Sequence, residues 1–157
     1  LALVQGACVG GGCGIALACD MRVVAHSARL GITPSKIGAA YSLSDTRRLV
    51  ALVGPARAKD MLFSGRLLDS EEALSVGLVD RRCDSGQLAD VARACIEPWL
   101  NNSSHSIAHT KRSILSIAGI APVADADLQA GFEDCFAGPD FAEGYAAFLA
   151  KRSPRFQ

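Results

Sequence analysis

Hydrophobic and polar positions divide the chain into an early strand-rich part and a late helical part. Residues 1–5 form an apolar run that reads as a buried strand. The glycines that follow read as a tight strand-to-helix turn, and residues 13–19 as a short buried helix stopped by Asp20. A β-branched run at 21–25 predicts another strand. Between residues 28 and 44, Gly31, Pro34 and Gly38 forbid a long helix and predict a loop with short strand or turn pieces.

Asp45 can cap a helix over 46–52, which Gly54-Pro55 would end, and a second helix over 56–63 would stop at Gly65. Asp69 with Glu72 has the spacing of a capping box, and a brief strand is expected at 78–81. A helix over 85–96 would place Leu88, Val91, Ala92 and Cys95 on one face, with Pro98 as its stop. Helical spacing returns over 105–117, 125–136 and 140–152. The pattern implies an α/β core over residues 1–82 and a helical extension over 83–157.

Composition changes this picture little. Half of the 157 residues are hydrophobic, which excludes intrinsic disorder. Sixteen basic and sixteen acidic residues cancel, so no overall field points to nucleic acid or to an anionic membrane. The uncharged stretch 1–19 is long enough to raise a membrane span, but its five glycines and Gln5 dilute it. The six cysteines show no CxxC spacing and fit buried reduced thiols in a cytoplasmic protein, with no metal site implied. With no initiator Met, basic leader or cleavage site, Leu1 reads as a point within a longer chain.

The candidate chemistry lies in "ACVGGGCGIALACD". A helix N-terminus leaves its first N–H groups without partners and carries partial positive charge. Glycines at Gly10, Gly11 and Gly12 let a negative oxygen come close, as in a phosphate cradle or an oxyanion hole. No register here meets the dinucleotide fingerprint, and no Gly-Lys-Ser/Thr exists, so a phosphate loop is disfavoured. Glycines serving only close helix packing are the plainer alternative.

Four stretches in order, "GACVGGGCGIALACDMRVVA", "LGITPSKIG", "TRRLVALVGPARAKDMLFSGRLLDSEEALSVGLVD" and "FAEGYAAFLAKRSPRF", resemble the crotonase (enoyl-CoA hydratase/isomerase) superfamily. They correspond to roughly the C-terminal three-fifths of a typical member. The resemblance implies a spiral of strand, strand and helix, and a helical C-terminal region that builds homotrimers or hexamers. It also implies acyl-CoA thioester substrates, with coenzyme A as part of the substrate and no separate cofactor. The shared chemistry is stabilisation of a thioester enolate by two backbone N–H groups. The second donor falls on Gly11, flanked by Gly10 and Gly12, while the first would lie upstream of Leu1. "FLAK" resembles the segment by which many members reach the coenzyme A nucleotide of a neighbouring subunit, where Phe148 would stack or pack and Lys151 would pair with phosphate.

Departures from the family pattern bear on the reaction. The two glutamates of hydratase members match Gly14 and Pro34 here, and the acid of isomerases and dehalogenases matches Ser42. The loop "ITPSKIGAAYSL" is more similar to methylmalonyl-CoA decarboxylase members, whose Thr-Pro and tyrosine match Thr33 and Tyr41. Loss of CO2 generates an enolate without a strong base, and uncharged groups can orient a departing carboxylate that a second carboxylate would repel. The expectation is therefore a decarboxylase-like lyase with Gly11, Tyr41 and Thr33 as acting groups. Gly10, Gly12, Gly14, Pro34, Ser42, Phe148 and Lys151 would line the substrate. A hydratase or isomerase with relocated acids, and a non-catalytic scaffold of the same fold, stay open.

Overall fold

The computed structural model describes residues 1–156. It divides into two compact units, Leu1–Arg93 and a second from Ala94 onward.

The first unit holds two three-stranded sheets. Strand β1 (Ala2–Val4) runs parallel to β3 (Arg22–Ala25), which pairs in parallel with β6 (Arg81–Cys83). In the other sheet β2 (Ala7–Val9) is parallel to β4 (Arg29–Gly31), and β4 pairs antiparallel with β5 (Leu67–Asp69). Parallel strands require crossovers, and helices α1 (Gly11–Ala18), α2 (Leu43–Ser64) and α3 (Ser70–Ser75) occupy the connections. Val24, Leu30, Ile32, Leu49, Met61, Leu68 and Leu78 fill the shared core. All four residues of β3 are buried, as expected for a central strand covered on both faces.

Arg22 is 2% exposed, yet fully used. Its Nε donates to Leu78 O at 2.8 Å and Nη1 to Cys19 O at 2.9 Å, while Nη2 meets Asp80 Oδ2 at 3.0 Å. One guanidinium thus ties the end of α1 to the strand that follows it and to the segment before β6. A buried charge is tolerated only with such partners.

Four sequence expectations are corrected here. The helix expected from Thr46 begins at Leu43, and its N-cap is Ser42, whose Oγ accepts the Asp45 N–H at 3.1 Å; Asp45 lies inside the first turn. Gly54 adopts φ 76° and breaks the backbone, but Pro55 restarts the helix at once, so the two expected segments join as one kinked α2. Asp69 caps α3 by accepting from the N–H groups of Glu71 and Glu72, but the Glu72 carboxylate turns to Arg66 at 2.6 Å instead of closing a capping box. The strand expected at 78–81 lies at Arg81–Cys83, because Leu78 and Val79 both donate back to Ala73 O in the turn after α3.

Helix α4 (Leu88–Leu100) leaves the first unit and runs through Pro98, which was expected to stop it. Proline has no N–H to donate and crowds the carbonyl four residues earlier, and α4 ends two residues later. The second unit continues with α5 (Ser104–Ile117), α6 (Asp125–Ala137) and α7 (Pro139–Leu149), as the periodicity predicts. Ser103 caps α5 and also donates to Asp140 of α7. Along α6 and α7, Phe132, Phe136, Phe141 and Tyr145 form a ladder with ring centroids 4.9, 5.0 and 6.3 Å apart. These rings are between 47% and 58% exposed.

Candidate active site

The triple glycine does what its composition predicts. Strand β2 ends at Val9, Gly10 turns the chain at φ 57° and ψ −116°, and α1 starts at Gly11. That conformation is open to glycine and strained for any other residue. The turn is anchored on both sides of the peptide: Gly10 N–H donates to Gly31 O at 2.9 Å, and Gly10 O accepts from Gly14 N–H at 3.1 Å and from the Tyr41 hydroxyl at 3.2 Å.

No side chain caps α1, so no cap covers the N–H groups at its start. Gly11 and Gly12 are exposed, and a methyl group built on Gly10, Gly11 or Gly12 would meet nothing within 4 Å. The mouth of the helix is bare backbone, with the partial positive charge of its first turn directed at whatever approaches. Ile15 stands beside it with 73% of its surface exposed, an apolar neighbour to a polar mouth.

One turn further in, Gly14 is buried, and there the missing side chain is a packing requirement. A methyl group on Gly14 would stand 3.0 Å from Tyr41 Oη and 3.1 Å from Asp45 Oδ2. The space beyond Gly14 belongs to a phenol and a carboxylate from the opposing segment. The Ser42 hydroxyl donates to Asp45 Oδ2 at 2.7 Å, and Arg48 Nη1 donates to Oδ1 at 3.0 Å, leaving Asp45 25% exposed. Burial holds the Tyr41 phenol above its ordinary pKa, and Cys13 and Asp45 push the same way, so Tyr41 stays a neutral donor. The Cys8 and Cys13 thiols act on each other, which holds the Cys8 thiol below its ordinary range and that of Cys13, also raised by burial, above it.

Thr33 and Pro34 begin the single-turn helix Pro34–Ile37, whose end at Gly38 is left-handed. Pro34 and Tyr41 share the wall of a small cavity of about 160 Å³ with Ser35, Ala39, Thr46 and Leu62. Tyr41, Gly10 and Gly14 therefore form one cluster. Thr33 accepts the Lys36 N–H on its carbonyl at 3.0 Å, and Ser42 caps α2.

The sequence puts Asp45 first as a helix cap and only second as a residue facing the acyl pocket, since a helix starting at Thr46 would spend it as a cap. The available signal was Ser42, a competent cap three residues before Asp45, which frees the Asp45 carboxylate once the helix begins at Leu43.

In the second unit Phe148 is 79% exposed, and Lys151 is exposed with φ 52°. Lys151 occupies the left-handed position after α7, with Arg152 N–H reaching back to Ala147 O at 3.1 Å, a geometry in which glycine is usual. Neighbouring Pro139, Asp140, Glu143, Arg152, Ser153 and Arg155 line a cavity of about 620 Å³. There Glu143 grips Arg152 and the Arg155 N–H, which hold its carboxyl down at about 2. Among the described residues no group of three or more His, Cys, Asp or Glu side chains could hold a metal ion, and no helix is long and apolar enough to cross a membrane.

Residues 1–157 match the family described as enoyl-CoA hydratase/isomerase. A Thermus thermophilus protein named "Putative enoyl-CoA hydratase" is 39% identical over 158 residues, covering 99% of this chain and 62% of that protein. A short-chain-enoyl-CoA hydratase of Clostridium acetobutylicum is 30% identical, covering 97% of this chain and 59% of that protein. Among solved structures, an enoyl-CoA hydratase/isomerase family protein from Hyphomonas neptunium superposes with a TM-score of 0.90 at 43% identity, over 97% of this chain and 58% of that one. The chain spans about three-fifths of the length of these relatives.

Proposed function

The chain belongs to the enoyl-CoA hydratase/isomerase family and has its α/β crotonase fold, and from that premise we propose that the protein processes acyl-CoA thioesters through an enolate held by the Gly11 N–H. The bare, uncapped start of α1 carries this reading: an amide donor fixed by the Gly10 turn, open to an incoming carbonyl and backed by the helix dipole. As the thioester oxygen gains negative charge, the N–H interaction strengthens, which is the condition for lowering a barrier instead of merely binding substrate.

The reaction is read as decarboxylase-like. Neither Gly14 nor Pro34 carries a carboxylate for the two-glutamate addition of water that the family resemblance implies for hydratases. In the decarboxylative route the bond between the α-carbon and a substrate carboxylate breaks, CO2 leaves, and the electron pair moves toward the thioester oxygen at Gly11. Tyr41, fixed by its bond to Gly10 O, and Thr33 would orient the departing group; Ser42 and Pro34 border the acyl chain. Phe148 and Lys151 are exposed as a contact for the coenzyme A nucleotide requires. No cofactor beyond the substrate's own coenzyme A is needed.

A second reading, a hydratase or isomerase with a relocated acid, is favoured by one observation: Asp45 Oδ2 comes within 3.1 Å of the place where a Gly14 side chain would begin. The names of the Thermus and Clostridium relatives lean the same way. The exposed aromatic ladder of α6 and α7 supports assembly into homotrimers or hexamers through the second unit. The cytoplasm, where acyl-CoA pools are met, is the proposed location.

The test is turnover of methylmalonyl-CoA and of crotonyl-CoA by the full-length protein, alongside Gly11→Pro. Proline is tolerated at a helix's first position and removes the N–H. The reading expects CO2 release from the first substrate, slow hydration of the second, and loss of both in Gly11→Pro. Rapid hydration unaffected by Tyr41→Phe or Thr33→Val would overturn the decarboxylase-like reading. An absence of acyl-CoA binding in calorimetry would favour a scaffold.

A further inference from the structure

An enolate has to exchange a proton at carbon however it is generated, by loss of CO2, by double-bond migration or by addition. Gly11 and Gly14 lie three residues apart on α1 and so share one helix face, which places any group beside Gly14 next to an acyl chain whose carbonyl sits at Gly11. Two ionisable side chains reach that point, Tyr41 and Asp45. The Tyr41 hydroxyl is already committed to Gly10 O at 3.2 Å. Burial and its neighbours favour its neutral form, so it is a poor base. Asp45 keeps a carboxylate at the spot, steadied on one oxygen by Ser42 and on the other by Arg48, and a quarter of it is open to solvent.

We infer that Asp45 is the acid–base group that exchanges the proton at the acyl α-carbon, reaching from the first turn of α2 into the space that Gly14 leaves free. The inference rests on the enolate reading but not on which bond generates the enolate. In the exchange direction the Asp45 carboxylate takes the α-proton, the C–H electron pair becomes the enolate double bond, and the thioester π pair moves onto the oxygen at the Gly11 N–H. In the return direction the Asp45 carboxyl gives its proton to that carbon. Between the two steps it equilibrates with water across its exposed edge. After loss of CO2 the same return step, from an Asp45 carboxyl that has first taken its proton from water and so does not repel the substrate's carboxylate, delivers the proton that completes the product. Arg48 acts through Asp45, holding the carboxylate in place without touching substrate.

The experiment is α-proton exchange of propionyl-CoA in D2O, followed by NMR, with the full-length protein. The wild type should exchange the α-protons well above the buffer rate. Asp45→Asn, which keeps shape and the Ser42 contact, should lose at least about 100-fold of that rate, the usual scale for removing a general acid or base. Calorimetric affinity for propionyl-CoA should persist in this variant. Arg48→Gln, which removes the ion pair and keeps the carboxylate, should retain exchange with a shifted pH profile. Exchange that survives in Asp45→Asn overturns the inference and leaves the oxyanion reading intact, as does binding without exchange in the wild type. Absence of both binding and exchange in the wild type overturns the enolate reading and this inference with it.

Discussion

Replacing Gly14 by alanine should destabilise the protein, although alanine is normally the better helix residue. At an open position inside a helix the exchange gains about 1 kcal/mol. At Gly14 the new methyl stands 3.0 Å from Tyr41 Oη, 3.1 Å from Asp45 Oδ2 and 3.3 Å from Asp45 Cγ, so two anchored side chains have to yield. Overpacking of this kind costs about 1–3 kcal/mol, which leaves a net loss of about 1 kcal/mol and lowers the melting temperature by roughly 2–4 °C for a chain of this size. The decisive measurement is a double-mutant comparison by urea unfolding. In a Tyr41→Phe/Asp45→Ala background the crowding atoms are gone, and Gly14→Ala should become stabilising by about 1 kcal/mol, a coupling near 2 kcal/mol. If Gly14→Ala stabilises the wild type as an open helix position would, Tyr41 and Asp45 do not fill the space beside Gly14.

Three other outcomes follow from the same geometry. Asp80→Ala strips Arg22 of the carboxylate at Nη2 while leaving it buried, and urea unfolding should show a loss of about 2 kcal/mol, with Asp80→Asn intermediate. The raised Tyr41 phenol means that above pH 10, its unfolded value, the folded state retains a proton that the unfolded state has lost; stability should fall as pH rises past 10, and Tyr41→Phe should flatten that fall. Lys151→Gly relieves a left-handed lysine and should stabilise the second unit by about 1 kcal/mol in thermal unfolding, while weakening affinity for coenzyme A if Lys151 pairs with its phosphate.

The parts of the fold set by local chemistry were legible in the sequence. The glycine turn, α1, the long irregular loop before α2 and the helices of the second unit follow from backbone freedom and periodicity at short range. Strands β2 and β5 were not foreseen because three residues are too few to display a period. The start of α2 was misplaced because Ser42 and Asp45 are both competent caps, and the sequence pattern does not rank them.

That error also kept Asp45 foremost in the role of a cap. Its placement beside Gly14, thirty-one positions earlier, depends on α1 packing against α2, a tertiary fact that neither segment encodes alone. A glycine at position 14 reads in the sequence as a catalytic residue lost. In the structure it is space surrendered to two residues from another element. Whether those residues act on substrate is a chemical question, which the α-proton exchange answers.

The central claim is that the Gly11 N–H receives the thioester oxygen, and a crystal structure of the full-length protein with a bound, unreactive acyl-CoA analogue tests it most directly. The account predicts the thioester oxygen about 2.7–3.1 Å from Gly11 N, with the acyl chain running past Gly14. A carbonyl bound away from the start of α1, with the Gly11 N–H facing only water, would contradict it.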